Sequence, residues 1–197
     1  GRLGNDAGVD KWSPVLVTGL DGGVAKVVAG STHTCALMMN GALKCWGNNY
    51  YGTIGDGTDT NRLAPANVAG LSSGVVDMTL GAFHTCAILD GGAVRCWGYN
   101  QNGEIGIGST VTPQLSPVQP VGLDGGVVAI YTTYDSSGEL TCSIAGGGLM
   151  RCWGLGVTAP TTVDGFVEGV GAVSVSRGYQ CLITTDGAVK CWGGEEY

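Results

Sequence analysis

The chain has 197 residues, of which 44% are hydrophobic and 13% charged, and its formal net charge is −7. That balance excludes a disordered chain, and its acidity, with nine scattered Lys and Arg, argues against a nucleic-acid partner. No run of about 20 apolar residues exists, so no membrane insertion is expected, and no signal-peptide pattern is seen, which leaves location to be argued from the cysteines. The 37 glycines have no three-residue period and point to many tight turns.

In chain order the same pieces return. GRLGND (1–6) is followed by SPVLVTGLDGGV (13–24) and HTCALMMNGALKCWG (33–47). They recur as GTIGDGT (52–58), APANVAGLSSGV (64–75) and HTCAILDGGAVRCWG (84–98), then as GEIGIGS (103–109), SPVQPVGLDGGV (116–127) and LTCSIAGGGLMRCWG (140–154). A shortened relic around APTTVDGF (159–166) precedes YQCLITTDGAVKCWG (179–193). Equivalent cysteines lie 51, 56 and 39 residues apart. The third module therefore carries an insertion near 132–139, and the fourth interval has lost most of its G-x-[IL]-G segment; both changes are expected in loops. The reading is a single repeat domain, 1–197, with modules at approximately 1–51, 52–102, 103–158 and 159–197. In module two, strands are expected at 65–71, 75–81, 84–89 and 93–98. Both phases of HTCAIL are apolar, as in a sheet covered on both faces. The fold class is all-β: β-propeller-type tandem repeats of about four antiparallel strands, each with a hairpin disulfide.

The eight cysteines pair by spacing as Cys35/Cys45, Cys86/Cys96, Cys142/Cys152 and Cys181/Cys191. If the two cysteines oppose each other on a hairpin, the loop holds an odd number of residues. Three fits best, at 39–41, 90–92, 146–148 and 185–187, each ending on Gly, which adopts a left-handed third position without strain. Opposed positions bring Cβ atoms to about 4.5–5.5 Å, within reach of a disulfide. C-x9-C is wide for zinc, and disulfides are expected, with buried thiols or a metal site as the alternatives. Disulfides imply an oxidising compartment, so the protein is expected to be secreted or at the cell surface.

The pattern G-x-x-H-[TS]-C-A-L … G-x-[VL]-x-C-W-G-x-N … G-x-[LI]-G-x-G resembles the regulator of chromosome condensation repeat over nearly the whole chain. The paired cysteines resemble its extracellular bacterial branch. The resemblance implies a β-propeller, typically of about seven blades. The family's eukaryotic founder acts on a small GTPase and on chromatin, and a secreted bacterial relative inhibits β-lactamases. Neither activity carries over residue by residue, because the motif specifies scaffold.

The two ends align with the interior. CWGGEEY (191–197) followed by GRLGND (1–6) matches CWGNNYYGTIGDG (45–57) without a gap. Segment 1–20 is therefore expected to complete the C-terminal module of the same or another chain, unless the sequence is a window of a longer array. A join between chains or a longer array is preferred to self-closure, since a four-blade ring would be tight. The residues assigned to the join are Gly1, Arg2, Leu3, Gly4, Trp192, Gly193, Glu196 and Tyr197.

Other conspicuous residues read as structural. His33 and His84 have Leu140 and Tyr179 as equivalents, which marks a packing position. Trp46, Trp97, Trp153 and Trp192 are expected to pack beside disulfides, while Trp12 stands outside the pattern as a candidate contact residue. Asp56 and Asp59 read as a turn, lacking the spacing of a calcium loop. No nucleophile elbow, H-E-x-x-H, P-loop or dinucleotide fingerprint occurs. No catalytic residue, metal or cofactor is expected, and the protein is not expected to be an enzyme. The expected function is an extracellular, self-assembling structural protein whose partner is itself, head to tail. The alternative is a secreted or surface module that binds a protein or glycan through loops 99–116 and 131–139.

Overall fold

The computed structural model describes residues 1–135, 138–163, 169–175 and 179–193. Its strands form four antiparallel sheets, each in chain order. Blade 1 contains β1 (Val24–Ala29), β2 (His33–Met38), β3 (Leu43–Gly47) and β4 (Arg62–Asn67). Blade 2 contains β5 (Val75–Leu80), β6 (His84–Leu89), β7 (Val94–Gly98) and β8 (Gln114–Val118). Blade 3 contains β9 (Val127–Asp135), β10 (Gly138–Ala145), β11 (Met150–Gly154) and β12 (Val157–Thr162). Among the described residues blade 4 has three strands, β13 (Val170–Val175), β14 (Tyr179–Thr184) and β15 (Val189–Gly193).

The central hairpin of each blade follows from its loop. Cys35 opposes Cys45 across β2 and β3, and the other three cysteine pairs take the same register. All four are disulfides with Cα atoms 4.1 Å apart. The loop between them closes with Met38 N–H donating to Ala42 O and Gly41 N–H to Met38 O. Gly41 sits at φ 77°, the left-handed conformation expected of the third loop residue.

Blades and sequence modules are out of phase. The run 65–71 was expected to open module two, but β4 hydrogen-bonds to β3 and closes blade 1, with Cys45 facing Ala66. Residues 68–71 leave the sheet, and Val68 and Leu71 turn into the core. The insertion at 132–139 is a second correction. Its residues 132–135 and 138–139 lengthen the β9–β10 ladder rather than forming a loop, with Thr132↔Thr141 and Tyr134↔Glu139 continuing the pairing.

The core lies between blades. Cys35, Leu37, Leu43 and Cys45 of blade 1 pack with Ile54, Val68 and Leu71 against Val75, Met78, Ala87 and Trp97 of blade 2. The next two junctions repeat this, with Cys86, Ile105 and Trp153 in one cluster and Cys142, Leu182 and Trp192 in the other. Thus Trp97, Trp153 and Trp192 each pack with the disulfide of the preceding blade, not with their own. Strand alternation requires this, because Trp97 follows Cys96 and points to the opposite face. The inner strands pack in the order β1, β5, β9, β13. Among the described residues no comparable packing returns from β13 to β1, so the blades form an open arc.

Candidate assembly surfaces

The arrangement that joins blades is a polar latch around the G-x-[IL]-G turn. Its second residue presents a backbone carbonyl to the next blade. The carbonyl of Thr53 accepts from Trp97 Nε1 at 2.9 Å and Thr85 Oγ1 at 3.0 Å. That of Glu104 accepts from Trp153 Nε1 at 2.8 Å and Thr141 Oγ1 at 3.3 Å. That of Arg2 accepts from Trp46 Nε1 at 3.0 Å and Thr34 Oγ1 at 3.3 Å. The threonine hydroxyl is held from the other side by a histidine of the preceding blade. His33 Nε2 lies 2.7 Å from Thr85 Oγ1, and His84 Nε2 lies 2.8 Å from Thr141 Oγ1.

These histidines are fully buried, and their role is polar rather than simple packing. Burial, and then the neighbouring His84, push the His33 pKa down to about 3, against a smaller upward pull from Glu139. Glu139 bonds His84 Nδ1 and accepts from Phe83 N–H at 2.9 Å. Burial opposes its charge, but His84 and backbone donors hold its carboxyl below the usual range. Glu139 occupies the insertion of module three, beside Leu140, where the repeat's own histidine is missing.

Two further residue types escaped the sequence reading. Asn49 and Asn100 are buried and brace the loop after W-G. Asn49 Oδ1 accepts from Ile54 N–H and its Nδ2 donates to the Thr58 and Thr60 carbonyls; Asn100 does the same with Ile105, Ser109 and Val111. Thr34, Thr85 and Thr141 form the latch. Recurrence at one position was the available signal for both, in three modules for the threonine and in two for the asparagine. Asp56 is a turn residue, as expected: it accepts from Thr58 and, at 2.6 Å, from Arg62 Nε, contacts that hold its carboxyl below the usual range against burial.

Two surfaces leave the latch half-built. On blade 4, Ile183 is 50% and Val189 67% exposed, while their equivalents on blade 1, Leu37 and Leu43, are 6% and 1% exposed. Cys191 and Tyr179 are exposed on the same face, and β15 has no fourth strand beside it among the described residues. At the other end, the N-terminal segment repeats the internal turn. Gly4 N–H donates to Gly1 O as Gly55 N–H does to Gly52 O, and Thr18 N–H donates to Gly4 O as Ala69 N–H does to Gly55 O. Yet Leu3 is 41% exposed where Ile54 and Ile105 are fully buried. Residues 11–16, equivalent to β4, form no strand.

Repeat models described as "Regulator of chromosome condensation (RCC1) repeat" match this chain at residues 1–37 and 40–88, and at 24–53 and 75–104. The chain belongs to the RCC1 repeat family. It is 30% identical over 119 residues to the ultraviolet-B receptor UVR8 of Arabidopsis thaliana, covering 59% of this chain and 27% of the receptor. Human WBSCR16 matches in structure with a TM-score of 0.72 at 19% identity, over 88% of this chain and 48% of that one. Prp20p of Saccharomyces cerevisiae, whose structure was described with its binding to Gsp1p and histones, matches with a TM-score of 0.68 at 21% identity, over 88% and 44%. The chain thus spans about a quarter of the receptor and under half of each of these two solved RCC1-like chains.

Against these RCC1 repeats, the residues assigned to the join separate into groups. Gly1 to Gly4 already lie on blade 1 of their own chain: Gly1 against Leu63, Gly4 on the Trp46 ring, and Arg2 Nη1 donating to Ser31 O at 3.1 Å. Of these four, Leu3 leaves an apolar side chain 41% exposed. Trp192 is half-buried in the cluster between blades 3 and 4, on the face of β15 opposite Cys191. Gly193 ends β15, and Glu196 and Tyr197 lie outside the described residues. Among the described residues no His, Cys, Asp or Glu group is arranged to hold a metal ion, and no helix is long and apolar enough to cross a membrane.

Proposed function

We propose that this protein is a non-catalytic extracellular scaffold whose copies join head to tail. The observation that carries this reading is the pair of complementary half-junctions. The exposed face of Ile183, Val189 and Cys191 has the composition that every internal junction buries. Leu3 and the strandless segment 11–16 are the equivalents of Ile54 and β4, which pack on such a face in blade 1. An apolar face beside an unpaired strand edge is stabilised by a matching strand and side-chain layer. The four disulfides support an oxidising location.

Light scattering after size exclusion tests it. A closed ring or a concentration-dependent series of head-to-tail species supports the reading, and a monomer at all concentrations rejects it. Ile183→Lys should abolish assembly, whereas Met39→Lys, on an exposed hairpin loop, should leave it intact.

A second reading, a module that binds a glycan or protein, is favoured by one cluster. Tyr50, Tyr51, Phe83 and Tyr99 meet edge to face at 4.9–6.4 Å on loops of blades 1 and 2, with Tyr50 70% exposed. Such rings offer stacking area. A glycan array probed with the native chain and with Tyr50→Ala tests it; binding lost in the variant supports this reading, and equal or absent binding removes the glycan form.

A further inference from the structure

We propose that Trp12 of one copy is the anchor of the head-to-tail contact and seats over Trp192 in blade 4 of its neighbour. This rests on the assembly reading above and names the residue that makes the contact specific.

The argument comes from what blade 4 lacks. On blades 1 to 3 a G-x-[IL]-G turn covers the tryptophan: Gly4 lies on Trp46, Gly55 on Trp97 and Gly106 on Trp153, and the three rings are buried. The first glycine of each turn rests on the outer strand of the blade that follows, Gly1 on Leu63, Gly52 on Leu115 and Gly103 on Thr158. The turn therefore fills the space between the tryptophan and the outer strand. Between blades 3 and 4 it is missing, because β11 passes through Leu155-Gly156 directly into β12. Trp192 is correspondingly only half-buried.

An outer strand laid along β15 by segment 11–16 of a second copy would thus stand over the place that the turn fills in the other blades. The residue at that place is fixed by the repeat. GRLGNDAGVDKWSP (1–14) aligns without insertion on GTIGDGTDTNRLAP (52–65), which puts Trp12 at the position of Leu63. Leu115 takes the same place in blade 2, resting on Gly52 as Leu63 rests on Gly1. The module that must cover the turnless blade is the one whose leucine is replaced by the largest side chain. In the free chain Trp12 is 99% exposed, so no fold-internal contact accounts for it. A large ring seated beside an apolar face is the usual form of an interface hot spot.

The test uses the 197-residue chain as native protein, Trp12→Ala and Trp12→Phe. Sedimentation gives the association constant, and the difference in fluorescence between native protein and Trp12→Phe isolates the emission of residue 12. Trp12→Ala should weaken assembly by about thirtyfold or more without changing the thermal melt of the dilute monomer. Emission from Trp12 should move to shorter wavelength as the protein is concentrated. If the native chain assembles but Trp12→Ala assembles equally, or the Trp12 emission stays solvent-like, the anchor is wrong and head-to-tail joining stands. If the native chain does not assemble, both fall together.

Discussion

His33 is the most strongly perturbed group in the described structure. The unfolded chain protonates this imidazole near its ordinary value of 6.5, while the folded chain resists until about pH 3. The folded pKa is depressed, so below 6.5 the unfolded state binds the extra proton and gains. Stability is fully present above 6.5 and is lost as the pH falls toward 3, by up to about 5 kcal/mol. Glu139 acts in the same direction: its carboxyl is held low, and its contribution is lost on acidification through its folded pKa. Urea melts at pH 7 and pH 4.5 should show a marked loss that is smaller in His33→Asn; an unchanged difference would remove the histidine from the account. This network was only half legible in the sequence. That the position was structural followed from Leu140 and Tyr179 standing in for histidine. That it was polar did not, because its partner Thr85 lies 52 residues away and threonine carries no signature of its own.

The hairpin and the turn behave differently as elements. The hairpin was readable because its information is local: nine residues separate the cysteines, and an odd loop ending in Gly leaves one register. The insertion reads as a loop because length differences between modules usually fall in loops, whereas residues 132–135 and 138–139 continue a ladder whose neighbours supply the pairing. For the turn, two glycines with the same backbone give a clean contrast. Gly55 and Gly70 have φ of 75° and 72°, so alanine is strained at both by about 1–2 kcal/mol. Only at Gly55 would the added Cβ meet Trp97 Nε1, at 2.5 Å, with the ring fixed by its bond to the Thr53 carbonyl. Gly70 has open space. Gly55→Ala should therefore cost about 2–5 kcal/mol and Gly70→Ala no more than about 2, measured by denaturant unfolding. Equal costs would mean that the turn does not bear on the ring.

Across the whole molecule, protection depends on position along the arc. Cys35–Cys45, Cys86–Cys96 and Cys142–Cys152 are each covered by a following blade, whereas Cys191 is exposed. Mild reduction of the native monomer followed by alkylation and mass spectrometry should label Cys181 and Cys191 first, and head-to-tail assembly should suppress that labelling. Early labelling of Cys86 and Cys96 would contradict the burial order. The repeat count was visible in the sequence, since it is a matter of alignment. Which strand belongs to which blade was not, because β4 reads as well with module two as with module one until its hydrogen bonds are known. That offset between written unit and folded unit also bears on how such a chain changes over generations. A module-length duplication or loss, wherever its breakpoints fall, still hands each blade the outer strand it was missing. The array can therefore lengthen or shorten by whole units without any junction having to be reinvented.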